Sequence, residues 1–531
     1  MSDRRPSLRG ARLWIAKLAT IRSGGVPDAP ALPVRDPWPG EPGRGARILK
    51  GEIEYRGAIR PLRPGGFNAS DASPLMLAYI HGFSWLRDLR ALGTDAARSR
   101  ARALITDWVN GDQYPAVATA PATSGARLAA WLGHYDFFAA SADDDFRQML
   151  MARLVHDARH LSASLPIDAR DGRAFTALKG LIAASVALPE HAGFLPRALR
   201  FLIPEIERQI LPDGAHCERS PAAHLAALQD LTEIRALLQV GRAEAPAQLP
   251  GTIERMAIAL RALRHADGGL ALFNGTSEDW PNLIDLVLSQ AGRTGRSNVS
   301  LAQSGFHRLT AGKTTIIVDA GVPPAPGMDR FAHAGTLAFE FSVGRERLIV
   351  NCGAAPASAT DWRDALRATA AHSTLVIADV SSSEIKAEGL GRRPTVVELT
   401  RQEANGAHWL EASHDGWKKL FGAVHRRRLY LAESGEDLRG EDSVEADEPQ
   451  PFTLRFHLHP NVTASIQQDN EAALLRLPSG QGWRLRAGGA TLSVEESIYF
   501  GGAEPRRAEQ IVLTSTQDGP QQVKWALTKM G

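Results

Sequence analysis

The stretch from residue 211 to residue 224, LPDGAHCERSPAAH, gathers chemically reactive side chains in a short space. It holds two histidines, a cysteine, a glutamate and an arginine around one Ser-Pro step. Asp213 and Gly214 predict a turn, while Ser220 followed by Pro221 is typical of the N-cap and first position of a helix. The sequence therefore predicts that these side chains lie at a helix N-terminus.

Two interpretations of this helix start are open. In the functional one, the amide N–H groups, the positive end of the helix dipole, Arg219 and His216 together favour an anion. In the structural one, Glu218 and Arg219 brace the start of the helix, and His224 packs against its first turn. The residue types alone fit both interpretations.

Size and composition are those of an ordinary globular protein. The 531 residues are 44% hydrophobic and 23% charged, and a chain of this length forms roughly two to four domains. The 61 basic and 59 acidic residues give a net charge of +2, so the overall charge does not indicate a nucleic-acid partner. Two cysteines, Cys217 and Cys352, are too few for a disulfide framework, which favours a reducing compartment.

The N-terminus is basic and mildly amphipathic, and Lys17 interrupts its longest apolar run, LWIAKLATI. This run is not the apolar core of a signal peptide, and no stretch of the chain reaches the length of a transmembrane helix. We therefore expect a cytoplasmic protein, with a periplasmic one as the alternative. For the N-terminal arm, a helix packed on the protein itself is favoured over contact with a membrane surface.

The two halves of the chain differ in hydrophobic period. From about Ser73 to about Gln290, Ala/Leu/Arg-rich stretches repeat apolar residues at helical spacing, which predicts roughly nine helices joined by short loops. After Ser300 the stretches are short and β-branched or aromatic, and the alternation in TLAFEFSV predicts a half-buried antiparallel strand. We predict an α+β multidomain protein with an N-terminal arm over residues 1–60, which includes a hairpin near residues 46–57, a helical domain over 61–295 and a β-sandwich over 296–531.

Several stretches resemble one protein family. DRFAHAGTLAFEF, RLIVNCG, AAHSTLVIAD and EASHDGW resemble the C-terminal part of heparinase II/III-like polysaccharide lyases, and DGAHCERSPAAH resembles a motif of their helical domain. The resemblance covers nearly all of the chain beyond residue 60. It implies an (α/α) toroid followed by an antiparallel β-sandwich. It also implies a lyase that cleaves an acidic, uronic-acid-containing polysaccharide or oligosaccharide, such as a glycosaminoglycan, by β-elimination.

Elimination next to a uronate needs three functions at one site. The carboxylate must be neutralised so that the neighbouring C–H becomes acidic, a base must remove that proton, and an acid must protonate the departing glycosidic oxygen. The resemblance implies that Arg219 binds the carboxylate and that a histidine is the base. The candidate catalytic residues are His216, Glu218, Arg219 and His224, and the candidate substrate-binding residues are Arg173, His414 and His457.

The sequence departs from the family pattern at three positions. The catalytic tyrosine that precedes the motif's histidine is replaced by Ala223, and the first histidine of the β-domain motif is replaced by Phe331. The asparagine or histidine that neutralises the carboxylate falls near Arg173 and Phe175, and Arg173 could take its place. A second function is therefore open: a catalytically altered glycan-binding or scaffold protein that keeps the lyase fold.

A structural zinc is the one cofactor that the resemblance implies. The positions that match its ligands are His333, Asn351 and His372. Two imidazoles suit zinc, whereas an amide oxygen is a poorer ligand than a carboxylate. The alternative is that these side chains are hydrogen-bonded structural residues of the sheets.

Overall fold

The computed structural model describes residues 25–63, 65–68, 72–111, 114–168, 172–191, 193–278, 281–292, 300–355, 360–467, 471–502 and 504–531. The run LWIAKLATI, and with it the expected packing of the N-terminal arm, lies outside the described residues. Within the described residues, no helix is long and apolar enough to cross a membrane.

The chain divides into two compact units. The helical unit comprises Met1–Gln209 and Ala227–Ile253, and the sheet unit comprises Ile210–Ala226 and Glu254–Gly531. In this division, two segments that precede the boundary predicted near residue 296 group with the strands. Their apolar side chains explain the grouping: Leu263 and Phe273 share a buried cluster with Phe306 and Ile317 of the strands.

The described N-terminal region contains more regular structure than its Pro/Gly content predicts. A helix, α1 (Pro42–Leu49), precedes a hairpin of β1 (Glu52–Tyr55) and β2 (Ala58–Pro61). The predicted hairpin is present, but it starts six residues later than expected, because residues 46–49 belong to the helix. Pro42 sits at the start of α1, where its missing N–H costs no hydrogen bond.

Helices joined by short connections make up most of the helical unit, as the hydrophobic period predicts. They are α2 (Pro74–Gly82), α3 (Leu86–Leu92), α4 (Asp95–Val109), α5 (Pro121–Gly133), α6 (Tyr135–Phe138), α7 (Asp144–Ser164), α8 (Ala174–Ala187), α9 (Phe194–Gln209), α10 (Pro221–Val240) and α11 (Gln248–Ala262), the last two crossing the division between the units. The side chains of Ser73, Thr94 and Asp143 cap α2, α4 and α7. The helical spacing of apolar residues continues over residues 73–92, but this stretch forms two helices, α2 and α3, because Phe83 has a left-handed backbone with φ of 57°.

Helices α5 and α8 approach each other through two glycines. A Cβ atom added at Gly180 would lie 2.2 Å from the carbonyl oxygen of Gly125, and one added at Gly125 would lie 2.5 Å from the Cα of Ala177. Only glycine permits this backbone separation, so the two helices pack in direct backbone contact.

The sheet unit holds one further helix of its own, α12 (Pro281–Ala291), and a short one, α13 (Lys418–Phe421). Its strands are β3 (Phe306–Ala311), β4 (Thr314–Asp319), β5 (Phe339–Val343), β6 (Glu346–Val350), β7 (Leu375–Ile377), β8 (Ile385–Lys386), β9 (Gly389–Leu390), β10 (Val397–Ala404), β11 (Ala407–Trp417), β12 (Ala423–Leu431), β13 (Asp437–Glu445), β14 (Phe452–Leu458), β15 (Thr463–Ile466), β16 (Ala472–Arg476), β17 (Gly482–Gly488), β18 (Thr491–Tyr499), β19 (Arg506–Ser515) and β20 (Gln522–Lys529).

Two antiparallel sheets of eight strands dominate this unit. One has the order β10-β11-β12-β13-β20-β17-β16-β15, and the other has the order β18-β19-β14-β6-β5-β4-β3, with β7 paired to β14. Side chains from both sheets, among them Phe339, Phe456, Trp483 and Trp525, form one buried cluster. The predicted β-sandwich is therefore present.

Strand β5 differs from its predicted environment. The alternation in TLAFEFSV predicts one exposed face, yet every residue of Phe339–Val343 is buried. The polar face is covered because Glu340 accepts hydrogen bonds from the backbone amides of Leu272 (3.0 Å) and Asn351 (3.1 Å) and contacts His265 Nε2 at 3.0 Å. A charged residue in a strand thus faces a buried partner here instead of solvent.

Candidate functional site

The helix start predicted in the 211–224 motif is present in the sheet unit. Helix α10 begins at Pro221, and the Ser220 hydroxyl accepts a hydrogen bond from the amide of Ala223 at 3.3 Å. The amide of Ala222 donates to Thr276 Oγ1 at 3.1 Å. Two of the amides predicted to favour an anion are therefore already bonded to side-chain oxygens of the protein.

Arg219, the predicted carboxylate ligand, points into the protein. Its Nε donates to the carbonyl of Ser304 at 2.6 Å, its Nη1 donates to the carbonyl of Gly321 at 3.3 Å, and its Nη2 forms an ion pair with Asp319. The guanidinium also lies 4.9 Å from the centre of the Phe306 ring. Since the side chain is only 6% exposed, its charge and its donors are used to join the motif to strand β4.

His224 is held between two backbone groups. Its Nε2 donates to the carbonyl of Met256 at 2.8 Å, and its Nδ1 accepts a hydrogen bond from the amide of His216 at 3.2 Å. Burial lowers the pKa of His224 to about 4, so the ring is neutral at pH 7. With both ring nitrogens bonded, His224 fixes the turn that precedes its own helix.

His216 and Glu218 lie on the same turn. The Nδ1 of the buried His216 accepts a hydrogen bond from the backbone amide of Glu218 at 3.3 Å, and His216 forms an isolated β-bridge with Ile210. The Glu218 side chain is more open, being half-buried. Of the four catalytic candidates, Glu218 is thus the one with the most solvent-exposed side chain.

Asn274 connects the motif to the β-domain histidine. Its Nδ2 donates to the carbonyl of Arg219 at 2.8 Å, and its Oδ1 accepts from the amide of His333 at 2.9 Å. The next amide, that of Gly275, donates to His333 Nε2 at 3.0 Å. The structure therefore brings Arg219 and His333 to one place, as the resemblance implies. Asn274 belongs to the stretch HADGGLALFNG, residues 265–275, whose glycines are typical of a turn, and Thr276 follows it directly.

The hydrogen bonds around the predicted zinc ligands do not fit a metal. His333 accepts the Gly275 amide at Nε2, so its proton is on Nδ1 and that nitrogen has no lone pair to offer. Asn351 Oδ1 already accepts from the amide of Ser373 at 3.1 Å and contacts His372 Nδ1 at 3.3 Å. Zinc needs lone pairs from each of its ligands, and this set presents one, on His372 Nε2.

The two histidines instead form a complementary pair. Their ring centroids are 5.0 Å apart, and His333 Nδ1 and His372 Nε2 are buried without a hydrogen-bond partner among the described residues. Burial lowers the pKa of His372 to about 3 and that of His333 well below its usual value, so both rings are neutral. Within the described part of the chain, no cluster of three or more His, Cys, Asp or Glu side chains suits a metal ion.

His414, a predicted substrate-binding residue, lies inside the sandwich. It is 1% exposed, its Nδ1 accepts from the amide of Gly416 at 3.2 Å, and its Nε2 lies 3.4 Å from His425 Nδ1. His425 in turn bonds the buried Asp442 at 2.8 Å. This row of buried polar side chains leaves His414 no surface on which a sugar could bind.

The other two predicted substrate-binding residues belong to other elements of the chain. His457, on β14, donates from Nε2 to the carbonyl of Ala370 at 2.9 Å and lies 2.8 Å from Ser497 Oγ. Arg173 precedes α8 in the helical unit. The structure thus gathers His216, Arg219, His224 and His333, whereas His414 and His457 belong to separate hydrogen-bonded groups.

The fold and the motif together define a class of protein. The chain matches the family model described as heparinase II/III N-terminus over residues 109–285 and the one described as heparinase II/III-like, C-terminal over residues 293–526. The chain therefore belongs to the heparinase II/III-like family of polysaccharide lyases, and the predicted toroid followed by a β-sandwich is confirmed.

One relative and two solved structures place the chain more narrowly. FtsZ-localized protein C of Caulobacter vibrioides is 34% identical over 97% of this chain and 92% of its own length. A crystal structure of heparinase III is similar with a TM-score of 0.77 and 14% identity, covering 98% of this chain and 89% of that one. Heparan sulfate lyase HepC from Pedobacter heparinus has a TM-score of 0.61 and 14% identity, covering 98% of this chain and 88% of its own.

Proposed function

We propose that this chain acts together with FtsZ in cell division, as a cytoplasmic binding protein built on the polysaccharide-lyase fold. In this proposal the 211–224 motif connects elements of the sheet unit and is not a site of β-elimination. The observation that carries the proposal is the position of Arg219, whose guanidinium is paired with Asp319 and bonded to two carbonyls inside the sheet unit.

Elimination also requires a base and an acid, and the residues at both of these positions support the same proposal. A base must take a proton from the sugar, yet His224 has both ring nitrogens bonded to backbone groups, and burial keeps its pKa near 4. The tyrosine position is Ala223, which has no group able to donate or accept a proton. FtsZ-localized protein C, whose name states localisation with FtsZ, matches nearly the whole chain, which favours a shared role in division.

Co-sedimentation with FtsZ filaments tests this proposal. FtsZ is polymerised, the full chain is added, and the filaments are pelleted over a range of FtsZ concentrations. We expect the chain to saturate in the pellet with filaments and to stay in the supernatant without them. A chain that stays in the supernatant at every FtsZ concentration contradicts the proposal. The Ala223→Tyr variant serves as a matched control, since it restores the family tyrosine and should pellet like the parent chain.

The second candidate function is β-elimination on a uronic-acid polysaccharide. It is favoured by the family match, which extends over both the helical and the sheet region. In that case His216 and Glu218 are the proton-transferring candidates of the motif, because Glu218 is the most exposed of the four catalytic candidates and lies on the same turn as His216. The unsaturated uronate product absorbs ultraviolet light, and its formation should be lost in both the His216→Ala and the Glu218→Gln variants.

A further inference from the structure

A cavity of about 570 Å³ lies within the helical unit. Helices α5, α8 and α10 and the extended segment of residues 33–37 form its walls. Much of the lining consists of apolar side chains, most of them small. These lining residues include Val34, Ala126, Ala129, Ala183, Ala236 and Leu237. Larger side chains at the alanine positions would fill this space, so the sequence itself keeps the cavity open.

One side of the cavity is charged. Lys179 Nζ lies 2.7 Å from Asp230 Oδ1 and 3.0 Å from Glu233 Oε1, and Arg87 Nη2 lies 2.9 Å from Asp36 Oδ2. Among the described residues, Asp230 and Glu233 thus share one contacting cation, Lys179, so their contacts leave this pair one positive charge short. Buried charges are seldom left unbalanced, because a low-dielectric environment penalises them strongly.

Three further titratable neighbours do not supply this positive charge to Glu233. Arg90 donates to the backbone carbonyls of Asp36 at 2.9 Å and Trp38 at 2.7 Å. Burial lowers the pKa of His134, which lies 3.2 Å from Asp36 Oδ2, so its ring is neutral. Arg35 also lines the cavity, but it is exposed, and solvent screens its charge.

The excess charge falls on Glu233. The Trp38 indole N–H and Lys179 both bond its Oε1, whereas Oε2 has no hydrogen bond from any described residue. The side chain is 10% exposed and lines the cavity. Burial raises the pKa of Glu233, and the neighbouring carboxylates of Asp36 and Asp230 add to the rise.

We propose that this cavity binds a small organic cation, a protonated amine on an apolar body, with the ammonium group on Glu233 Oε2 and the body against the alanine walls. An ammonium group supplies both the positive charge and the N–H donors that Glu233 Oε2 lacks. The apolar body gains from leaving water in a pocket whose walls are mainly apolar. Neither the family match nor the relatives assign a ligand to this place, and the proposal does not depend on the function proposed above.

Calorimetric titration of the full chain with three compounds of similar shape tests the proposal. The probes are 2-phenylethylamine, 2-phenylethanol and 3-phenylpropionate, which at pH 7 are a cation, a neutral molecule and an anion. We expect the amine to bind at least about tenfold more tightly than the alcohol, and the anion to bind most weakly. Equal affinities for amine and alcohol, preference for the anion, or no binding of the amine at millimolar concentration would each overturn the proposal.

Two substitutions locate the binding in this cavity. Glu233→Gln keeps an oxygen that can accept from Trp38 and removes the charge, so the preference for the amine over the alcohol should disappear. Ala129→Phe places a ring in the cavity and should abolish binding of both compounds. Glu207→Gln removes an exposed carboxylate on α9 and should leave the binding unchanged. If amine binding persists unaltered in both cavity variants, the assignment to this cavity is wrong. If either cavity variant does not fold, the comparison of the three probes on the parent chain still decides the charge preference.

Discussion

At the scale of single residues, Arg219 decides how the motif is interpreted. The sequence is compatible with a guanidinium that binds a substrate carboxylate and with one that binds the protein itself. In the structure this guanidinium pairs with Asp319 and donates to two backbone carbonyls. A buried ion pair of this kind contributes specificity to a junction, and removing one partner leaves an uncompensated charge inside the protein. Arg219 is therefore expected to matter for stability.

Replacing Arg219 by methionine should lower the free energy of unfolding by about 3 kcal/mol or more, because Asp319 then stays buried without its partner. Combining Arg219→Met with Asp319→Asn should recover part of that loss, since the two residues share one interaction. Urea unfolding of the two single variants and the double variant measures this coupling.

The matched control for this cycle is the exposed pair of Arg428 and Glu411, at 2.9 Å. Arg428→Met should change the free energy of unfolding by less than about 1 kcal/mol, because solvent screens this pair. Additive effects of the Arg219 and Asp319 substitutions would contradict the structural role assigned to Arg219.

The His224 ring predicts a pH dependence of stability. Its pKa is lowered by burial from 6.5 to about 4 in the folded chain, so between pH 6.5 and pH 4 the unfolded chain binds more protons than the folded one. Stability must therefore fall as the pH falls through this window, by on the order of 3 kcal/mol from this residue. In His224→Asn, which can still accept from the His216 amide, the urea midpoint should decline less steeply between pH 6.5 and pH 4. An unchanged slope would show that His224 is not the neutral, buried ring described here.

At the scale of elements, the packing of α5 on α8 depends on Gly125 and Gly180. Side chains at these positions would overlap backbone atoms of the facing helix, and backbone cannot yield as a flexible side-chain end can. The pair therefore sets the distance between two helices that both line the cavity of the helical unit.

Gly180→Ala should destabilise the chain by about 2 kcal/mol or more, because its Cβ would collide with the Gly125 carbonyl. Gly43→Ala is the matched control in a helix: only Glu41 Oε1 lies within 4 Å of its added Cβ, at 3.6 Å. It should be neutral or raise the free energy of unfolding by up to about 1 kcal/mol, as alanine favours helix over glycine. Thermal unfolding compares the two variants, and equal effects would argue against backbone contact between α5 and α8.

What the sequence could predict at this scale depended on local signals. The Ser220-Pro221 step predicts where α10 begins, and short β-branched stretches predict β4, β6 and β14, because these signals lie within a few residues. The buried polar face of β5 could not be predicted in this way. Glu340 is satisfied by His265 and by the amides of Leu272 and Asn351, and the partners before residue 300 come from a distant segment of the chain.

The same limit applies to the site residues, because a partner that is distant along the chain leaves no local signal in the sequence. The resemblance brings Arg219 and His333 together, but Asn274, which joins them, carries only the signal of a turn. The cluster of Asp36, Lys179 and Glu233 had no sequence signal, since its members are far apart along the chain and each is unremarkable in its own helix or loop. Charge balance becomes visible only when all the partners of a buried group are known.

At the scale of the whole molecule, the chain has the architecture of a polysaccharide lyase, but the Arg219 and His224 side chains of its 211–224 motif are bonded inside the protein. The spacing of hydrophobic residues is enough to specify the helical unit and the two sheets. The few side chains that elimination requires can therefore change without altering the fold. Family membership therefore establishes the architecture, and the binding role proposed above rests in part on the environment of Arg219, His224 and Ala223.

The most direct measurement is the rate at which the purified full chain forms unsaturated uronate product from heparin, alginate, hyaluronan and glucuronan, followed by ultraviolet absorbance beside an active heparinase III. We predict no increase in absorbance with any of the four polymers, for the parent chain and for Ala223→Tyr alike. A steady increase in absorbance with one polymer that disappears in Glu218→Gln would contradict the structural role assigned to the 211–224 motif and establish the chain as a lyase.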